Sequence, residues 1–243
     1  MTPLRSKAPA VPSALDAWLE GPLGQLLLAA ETREVARSLE DVFGSQFLQV
    51  GHWGSASTFL PLARIPRRAL VAEPHAPGDC VSHAAQLAIL SHSVDAVLLP
   101  HTLEFEPEPQ AVIREVDRIL VGEGHVLILG FEPIGSWAVR HFLSRRGFPP
   151  GLSGTLSRRR LRDWLTLLGF DVVETRRFLH ALPLASVANA GINGRLERLG
   201  ERTDGRLGSV YLLKARKRVY TLTPIRPRRR AVPKLAGAIG APT

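Results

Sequence analysis

Two groups of residues in this sequence have the types and spacing of a site for a nucleotide-like ligand. The first is the loop Gly51-His52-Trp53-Gly54-Ser55. Glycine in such a loop lets the backbone turn tightly or approach a ligand. The second is Glu73, 22 residues after Gly51, whose carboxylate can accept hydrogen bonds from both hydroxyls of a ribose. The pairing predicts a nucleoside-type ligand; the alternative is that Gly51 and Gly54 serve only a turn from strand to helix.

A third candidate group follows a later strand and contains Pro100, His101 and Glu104. His101 or Glu104 could act as a general base there if an acceptor must lose a proton. The alternative is that His101 only packs against the loop or caps it, because a lone histidine is weak evidence for catalysis. The remaining histidines show no metal-ligand spacing, and we find no catalytic triad, P-loop or zinc motif.

The elements that must position these residues form an alternating pattern of strands and helices. Strands are predicted at residues 47–50 and 69–72, with a weak one at 78–83. A compact unit follows, with a strand at 96–99, a helix that starts at Pro109 and is broken by Gly122 and Gly124, and a strand from 125 to 129. Parallel strands joined in this way bind ligands at their carboxyl ends. That edge would carry all three candidate groups.

The regions on either side of this unit are predicted to be helical, followed by two strands. Helices are expected from residue 13 and over 23–43, and later over 134–143 and 158–168. Strands are expected at 170–173 and 210–213, and the basic run 214–218 is expected to leave the last strand. Residues 181–208 are expected to be irregular apart from a short helical piece around Leu196.

Composition limits the class of protein. The 243 residues are 45% hydrophobic, enough for one sizeable α/β core. A single cysteine, Cys80, excludes an intramolecular disulfide and a cysteine-based zinc site, and suits a reducing cytoplasm. No apolar run is long enough for a membrane span, and the apolar segment 23–30 is interpreted as a helix, not a signal peptide.

The net charge of +9 is distributed unevenly along the chain. Residues 1–139 contain 9 basic and 16 acidic side chains, whereas residues 140–243 contain 22 basic and 6 acidic ones. The basic half suggests an anionic partner such as a nucleic acid; the alternative is a solvated, arginine-rich surface. Four arginines of this half open a predicted helix, where positive charge opposes the helix dipole: Arg158, Arg159, Arg160 and Arg162.

Four segments give the chain a resemblance to a known family: DAVLLPHTLEF, REVDRILVGEGHVLILGFEP, RLRDWLTLLGFDV and SVYLLKARKR. They resemble class I S-adenosylmethionine-dependent methyltransferases, within them the type-11 superfamily, and within that an uncharacterised proteobacterial group. The likeness runs from about Trp18 to Pro227. It implies a Rossmann-like α/β fold: a seven-stranded, mostly parallel sheet with an antiparallel last strand at 210–213, and helices on both faces.

The resemblance also implies a cofactor, S-adenosyl-L-methionine, and a set of residues that bind it. The family motif acid-x-Gly-x-Gly-x-Gly falls on Gln49, Gly51, Trp53 and Ser55, so one of its three glycines is present. Trp53 would reshape the pocket and stack on the ligand. Glu73 matches the ribose-binding acid. His83 replaces an adenine-contacting Asp, beside the backbone N–H of Ala84. The cofactor-binding set implied is Gly51, His52, Trp53, Gly54, Glu73, Ala84, Pro100 and His101, with His101 facing the methyl group as the candidate catalytic residue.

Three functions follow from these observations. The first is a methyltransferase with an unknown acceptor, and the second is a non-catalytic module on the same fold that contacts RNA or another polyanion through the basic half. The third, a nicotinamide-dependent oxidoreductase, lacks the Gly-x-Gly-x-x-Gly fingerprint. The predicted organisation is a flexible tail at 1–12, a methyltransferase-like domain at 13–222 that begins with helices at 13–44, and a basic Pro/Arg-rich tail at 223–243.

Overall fold

A computed structural model describes residues 14–74, 76–144, 148–152, 154–180, 182–183 and 208–219. The two predicted tails, the helical piece around Leu196 and most of the predicted irregular segment lie outside these residues. The domain boundaries therefore stay predictions.

The described chain alternates helices and strands in the predicted order. The helices are α1 (Ala14–Glu20), α2 (Pro22–Ser38), α3 (Ala56–Phe59), α4 (Thr102–Phe105), α5 (Pro109–Ile119), α6 (Ser136–Leu143) and α7 (Arg158–Leu167), with a 3₁₀ turn at Leu60–Leu62. The strands are β1 (Gln46–Val50), β2 (Arg67–Ala72), β3 (Cys80–Val81), β4 (Val94–Pro100), β5 (Leu120–Phe131), β6 (Phe170–Phe178) and β7 (Val210–Lys217). Helix α4 was not predicted.

The seven strands form one sheet in the order β3-β2-β1-β4-β5-β7-β6. Strands β1 to β5 pair in parallel, while β7 runs antiparallel to both β5 and β6. The predicted Rossmann-like methyltransferase sheet with an antiparallel last strand is confirmed.

The unit β4-α5-β5 follows the sequence pattern closely. Pro109 starts α5, where its missing N–H leaves no hydrogen bond unmade. Val112, Val116 and Ile119 are buried against the sheet. The prediction that Gly122 and Gly124 end this helix is wrong, because α5 stops at Ile119 and both glycines lie within β5.

The sheet is covered on both faces, so the central strands are buried throughout. Alternate residues of β4 face opposite cores: Ala96 and Leu98 pack with the residues of α1 and α2, whereas Val97 and Leu99 pack with those of α5 and α7. This arrangement explains why β4 is a continuous apolar run and does not alternate with polar residues.

The basic run near the end of β7 differs from the prediction. Lys214 was expected to lie beyond the last strand, but β7 continues to Lys217 and pairs with β6, which itself extends to Phe178. Lys214 is 1% exposed; its Nζ donates to the Ser38 carbonyl at 3.0 Å and forms an ion pair with Asp41. A lysine can continue a buried strand here because the end of α2 supplies partners for its charge.

Candidate functional site

A cleft of about 1150 Å³ opens at the carboxyl ends of β1, β2 and β4. Its lining includes the predicted residues Gly51, His52, Gly54, Glu73 and Pro100. Side chains from α1, α2 and α4 close its other walls. The sequence therefore located the sheet edge that carries the cleft, as the rule for parallel sheets requires.

Gly51 allows the backbone to leave β1 toward the cleft. Its φ is +97°, and a Cβ at this position would lie 2.5 Å from Thr102 Oγ1. The Thr102 hydroxyl donates to the Val50 carbonyl at 2.6 Å, which ties the start of α4 to the end of β1. A side chain at residue 51 would break this contact as well as strain the backbone.

Glu73 follows β2, and its carboxylate is 43% exposed. One oxygen accepts from the Ala84 N–H at 3.1 Å, and the other lies 2.7 Å from His83 Nδ1. Each oxygen of a carboxylate can accept two hydrogen bonds, so each retains capacity for one more. The site therefore fits the two hydroxyls of a ribose. The Ala84 N–H, which was expected to contact the cofactor, instead donates its hydrogen bond to Glu73.

Trp53 is turned away from the cleft. Its side chain is 1% exposed, and its indole N–H donates to Glu31 at 2.8 Å. The ring also packs on the His101 imidazole, with ring centroids 4.3 Å apart. The predicted stacking of Trp53 on a ligand has no counterpart in this geometry, and the indole leaves the cleft open because a buried carboxylate holds it in the core.

His101 lies between two buried carboxylates. Its Nε2 is 2.7 Å from a Glu31 oxygen and its Nδ1 is 2.7 Å from a Glu104 oxygen, and all three side chains are at most 1% exposed. The other Glu104 oxygen accepts from the Phe131 N–H at 2.7 Å. Both ring nitrogens are thus occupied, and the ring does not line the cleft, so a catalytic role for His101 is not supported by its contacts.

The charges of this trio are strongly coupled. Burial by itself would lower the pKa of His101, but the charge of Glu31 and the hydrogen bonds to Glu104 and Glu31 outweigh it and raise the pKa to about 9. Burial raises the pKa of Glu104, against the effect of its hydrogen bond to His101. The imidazole is therefore an imidazolium at neutral pH, which cannot accept a proton.

Gln49 stands where the family motif has an acid. The residue is fully buried, and its amide nitrogen donates to the Gly51 carbonyl at 3.1 Å, which helps to hold the loop. Its oxygen has no hydrogen-bond partner within the described part of the chain.

Sequence reasoning missed the walls that α1, α2 and α4 contribute to the cleft. These residues include Asp16, Glu20, Leu28, Phe105 and Glu106. It also missed Glu31, although a signal was present: Glu31 stands four residues from both Leu27 and Val35 on the buried face of α2. An acid in an apolar helical stripe indicates a buried partner of opposite charge.

The basic half presents fewer free charges than its composition suggests. Within the described ranges most of its cations pair with acids: Arg158 and Arg177 with Glu132, Arg176 with Glu174, Arg216 with Glu123, Lys217 with Asp117, and Arg218 with Asp171. A carboxylate beside each cation weakens its attraction for a polyanion. The structure thus gives the polyanion-binding alternative no support beyond the charge count.

Two further findings concern the described residues alone. No helix among them is both long and apolar enough to cross a bilayer. No group of three or more His, Cys, Asp or Glu side chains in the same ranges is arranged to hold a metal ion.

Comparisons with known proteins agree with the fold. The family model described as "Methyltransferase domain" matches residues 63–128. The uncharacterized protein YafS of Escherichia coli is 29% identical over 97% of this chain and 95% of its own length. An uncharacterized protein of Mycobacterium tuberculosis is 31% identical over 74% of this chain, and the match spans 66% of that relative.

Solved structures share the fold at low sequence identity. A chain of the complex with the Haloferax volcanii Trm112 methyltransferase activator has a TM-score of 0.61 at 17% identity, and covers 87% of this chain and 99% of its own. An S-adenosylmethionine-dependent methyltransferase from Archaeoglobus fulgidus has a TM-score of 0.57 at 17% identity, covering 79% of this chain and 94% of its own. The chain thus has the fold of the class I S-adenosylmethionine-dependent methyltransferases, and its residues 63–128 match the methyltransferase-domain family.

Proposed function

We propose that this chain binds S-adenosyl-L-methionine in the cleft and transfers its methyl group to an acceptor. The observation that carries the proposal is Glu73. This half-exposed carboxylate follows β2, faces the cleft and retains acceptor capacity on both oxygens. Such a group at the carboxyl end of the second strand suits the two hydroxyls of a ribose.

The other lining residues would hold the remainder of the cofactor. Gly51 and Gly54, both with positive φ, let the loop backbone approach the ligand. His52 lines the same wall and lies 3.2 Å from Asp16 of α1, so it joins the loop to the helix that covers the cleft. Pro100 ends β4 beneath them. These residues bind and orient, which is the larger part of what methyl transfer asks of a protein.

When bound, S-adenosylmethionine supplies a methyl group on a positively charged sulfur, which an acceptor's lone pair displaces while the electrons of the broken C–S bond stay on sulfur. The protein needs a base only if the acceptor must lose a proton. Glu106 lines the cleft and suits this role better than His101. Burial, and then the charge of nearby Glu73, raise the pKa of the Glu106 carboxyl.

Calorimetric titration with S-adenosylmethionine tests the proposal. We expect the wild type to bind, and Glu73→Gln to weaken binding by about ten-fold or more, because a charge-assisted hydrogen bond contributes about 1.5–3 kcal/mol. Glu40→Gln is the matched control, since Glu40 is an exposed acid outside the cleft. No heat with the wild type, or equal affinities for Glu73→Gln and Glu40→Gln when both variants keep the wild-type melting temperature, would refute the proposal.

A further inference from the structure

The cleft is larger than one small ligand requires. Its volume is about 1150 Å³, whereas pockets for a single drug-sized ligand measure about 300–1,000 Å³. A cofactor bound at Glu73 would therefore leave room for a second small molecule. This inference rests on the proposed function, and it concerns the chemical class of that second molecule.

The charged side chains that line the cleft are mainly acidic. Four carboxylates face the cleft, and the set of described lining residues contains no Lys or Arg although the chain has 31 of them. The carboxylates come from three segments of the chain: Asp16 and Glu20, Glu73, and Glu106. All lining residues fall between positions 15 and 106, in the acidic half of the sequence.

Two of these four carboxylates have partners in the protein, and the other two have none among the described residues. Asp16 lies 3.2 Å from His52, and Glu73 lies 2.7 Å from His83. Glu20 and Glu106 make no hydrogen bond or ion pair with any residue that the structure describes. The cofactor carries one net positive charge, so at least part of this negative potential stays uncompensated after it binds.

Much of the rest of the wall is apolar, and Gln25, Thr32, Ser55, Thr58 and Thr102 add neutral polar groups. Leu15, Leu19, Leu28 and Phe105 line the cleft together with Ala29 and Pro77. An apolar wall with a few carboxylates matches a molecule that has a hydrocarbon body and a cationic head. It opposes an anionic acceptor such as a carboxylate or a nucleic-acid strand, because like charges brought together at a binding site cost free energy.

We propose that the methyl acceptor is a small amine with an apolar body, which the cleft carboxylates, Glu20 and Glu106 among them, attract into the cleft. The bound ammonium group first gives a proton to a cleft carboxylate, which passes it to solvent. The lone pair thus freed on nitrogen forms the new N–C bond, and the pair of the C–S bond leaves with the sulfur. The nitrogen becomes a methylated ammonium ion, which the carboxylates stabilise.

Binding of three matched probes tests this class of acceptor without a measurement of methyl transfer. Hexylamine, hexanol and hexanoate share one hydrocarbon chain and differ in the charge of the head group. Each is titrated by calorimetry into protein saturated with S-adenosylhomocysteine, which carries no methyl group to transfer. We expect hexylamine to bind about ten-fold or more tightly than hexanoate, a difference of about 1.4 kcal/mol.

A double variant, Glu20→Gln with Glu106→Gln, should reduce this ratio by about five-fold or more through loss of the attraction for the ammonium group. The double variant Glu40→Gln with Asp163→Asn is the matched control. It removes the same charge from exposed positions outside the cleft and should keep the ratio. Equal or tighter binding of hexanoate, or a ratio that both double variants leave unchanged, overturns the inference.

Failure of the amine inference can be distinguished from failure of the proposed function. If S-adenosylhomocysteine and S-adenosylmethionine both give no heat, the proposed function fails. The three probes are then titrated into the free protein, where the preference of the cleft for the amine is decided in the same way.

Discussion

The resemblance predicted a cofactor contact at His101, but in this chain the residue joins two elements. Its ring lies between Glu31 of α2 and Glu104 of α4, and the rings of Trp53 and Phe131 both pack against it. A buried charge is tolerated only when it is paired and hydrogen-bonded. The trio therefore fixes α2 above the strand edge, and α2 in turn supplies a wall of the cleft.

This geometry predicts that stability falls as pH rises. Since the pKa of His101 is about 9 when folded and 6.5 ordinarily, the folded state holds a proton that the unfolded state loses between these values. The stabilisation that this bound proton provides is complete below about pH 6.5 and is lost as the pH rises past 9. The free energy of unfolding should therefore fall by about 3 kcal/mol, since a pKa difference of one unit corresponds to 1.36 kcal/mol. The pKa of Glu104, raised by burial, acts in the same direction.

Urea unfolding at pH 6, 7.5 and 9 measures this effect. His101→Asn should lose most of the pH dependence, and asparagine tolerates the left-handed backbone at this position, where φ is +57°. His92→Asn is the matched control, because His92 has φ +52° and no carboxylate partner among the described residues. If His101→Asn does not fold, Glu31→Gln serves instead, and a wild-type slope retained in that variant would contradict the prediction.

Among the elements, the loop between β3 and β4 depends on one arginine of α5. The Arg118 guanidinium makes a two-pronged contact with Glu115, donates to Ser91 at 2.8 Å, and donates to the carbonyls of Leu87 and Ile89 at 3.0 and 2.9 Å. Glu115 in turn accepts from the Leu87 N–H at 2.8 Å. The loop carries His83 and Ala84, the residues that contact Glu73, so its anchoring reaches the candidate site.

Arg118→Lys should lower the free energy of unfolding by about 1–3 kcal/mol, because one ammonium group cannot reach the partners that a planar guanidinium spans. Arg114→Lys, on the exposed side of the same helix, should stay within about 0.5 kcal/mol. Urea unfolding gives the free energies, and hydrogen exchange at the Leu87 amide reports on the loop. Both variants keep the positive charge. An equal loss of unfolding free energy in the two would therefore contradict the prediction that the planar shape of the Arg118 guanidinium holds the loop.

For the molecule as a whole, the two halves of the chain differ in charge and in place. The acidic half lines the cleft, and the cations of the described basic half are largely paired with acids. Residues 223–243, which contain five basic side chains, lie outside the described residues. The charge distribution predicts that an anionic partner would contact the basic terminal segment and not the cleft.

Any affinity for a 20-nucleotide single-stranded RNA should fall by about ten-fold at low salt on removal of residues 223–243, since such binding follows the number of neutralised phosphates. Affinity for S-adenosylmethionine should not change. Removal of residues 1–12, which contain two basic side chains, is the control and should have a smaller effect. Gel shifts at two salt concentrations measure the affinity for RNA. An affinity that is unchanged after removal of residues 223–243 would exclude this segment as the RNA contact.

The sequence by itself determined the fold and the edge of the sheet that carries the cleft. Apolar runs such as residues 96–99 predict strands buried on both faces, and the stripe Val112, Val116 and Ile119 predicts one face of a helix, because both signals arise from spacing within a single element. Glu73 could be located for the same reason, since it directly follows a predicted strand.

Only the tertiary structure decided which way side chains in the loops point and what pairs with what. Trp53 and His101 turn inward because Glu31, 22 and 70 residues away in the chain, supplies a carboxylate to both. Lys214 stays in a buried strand because the end of α2 meets it. These outcomes depend on contacts between distant segments, which local spacing cannot encode, and they determine which groups remain to line the cleft.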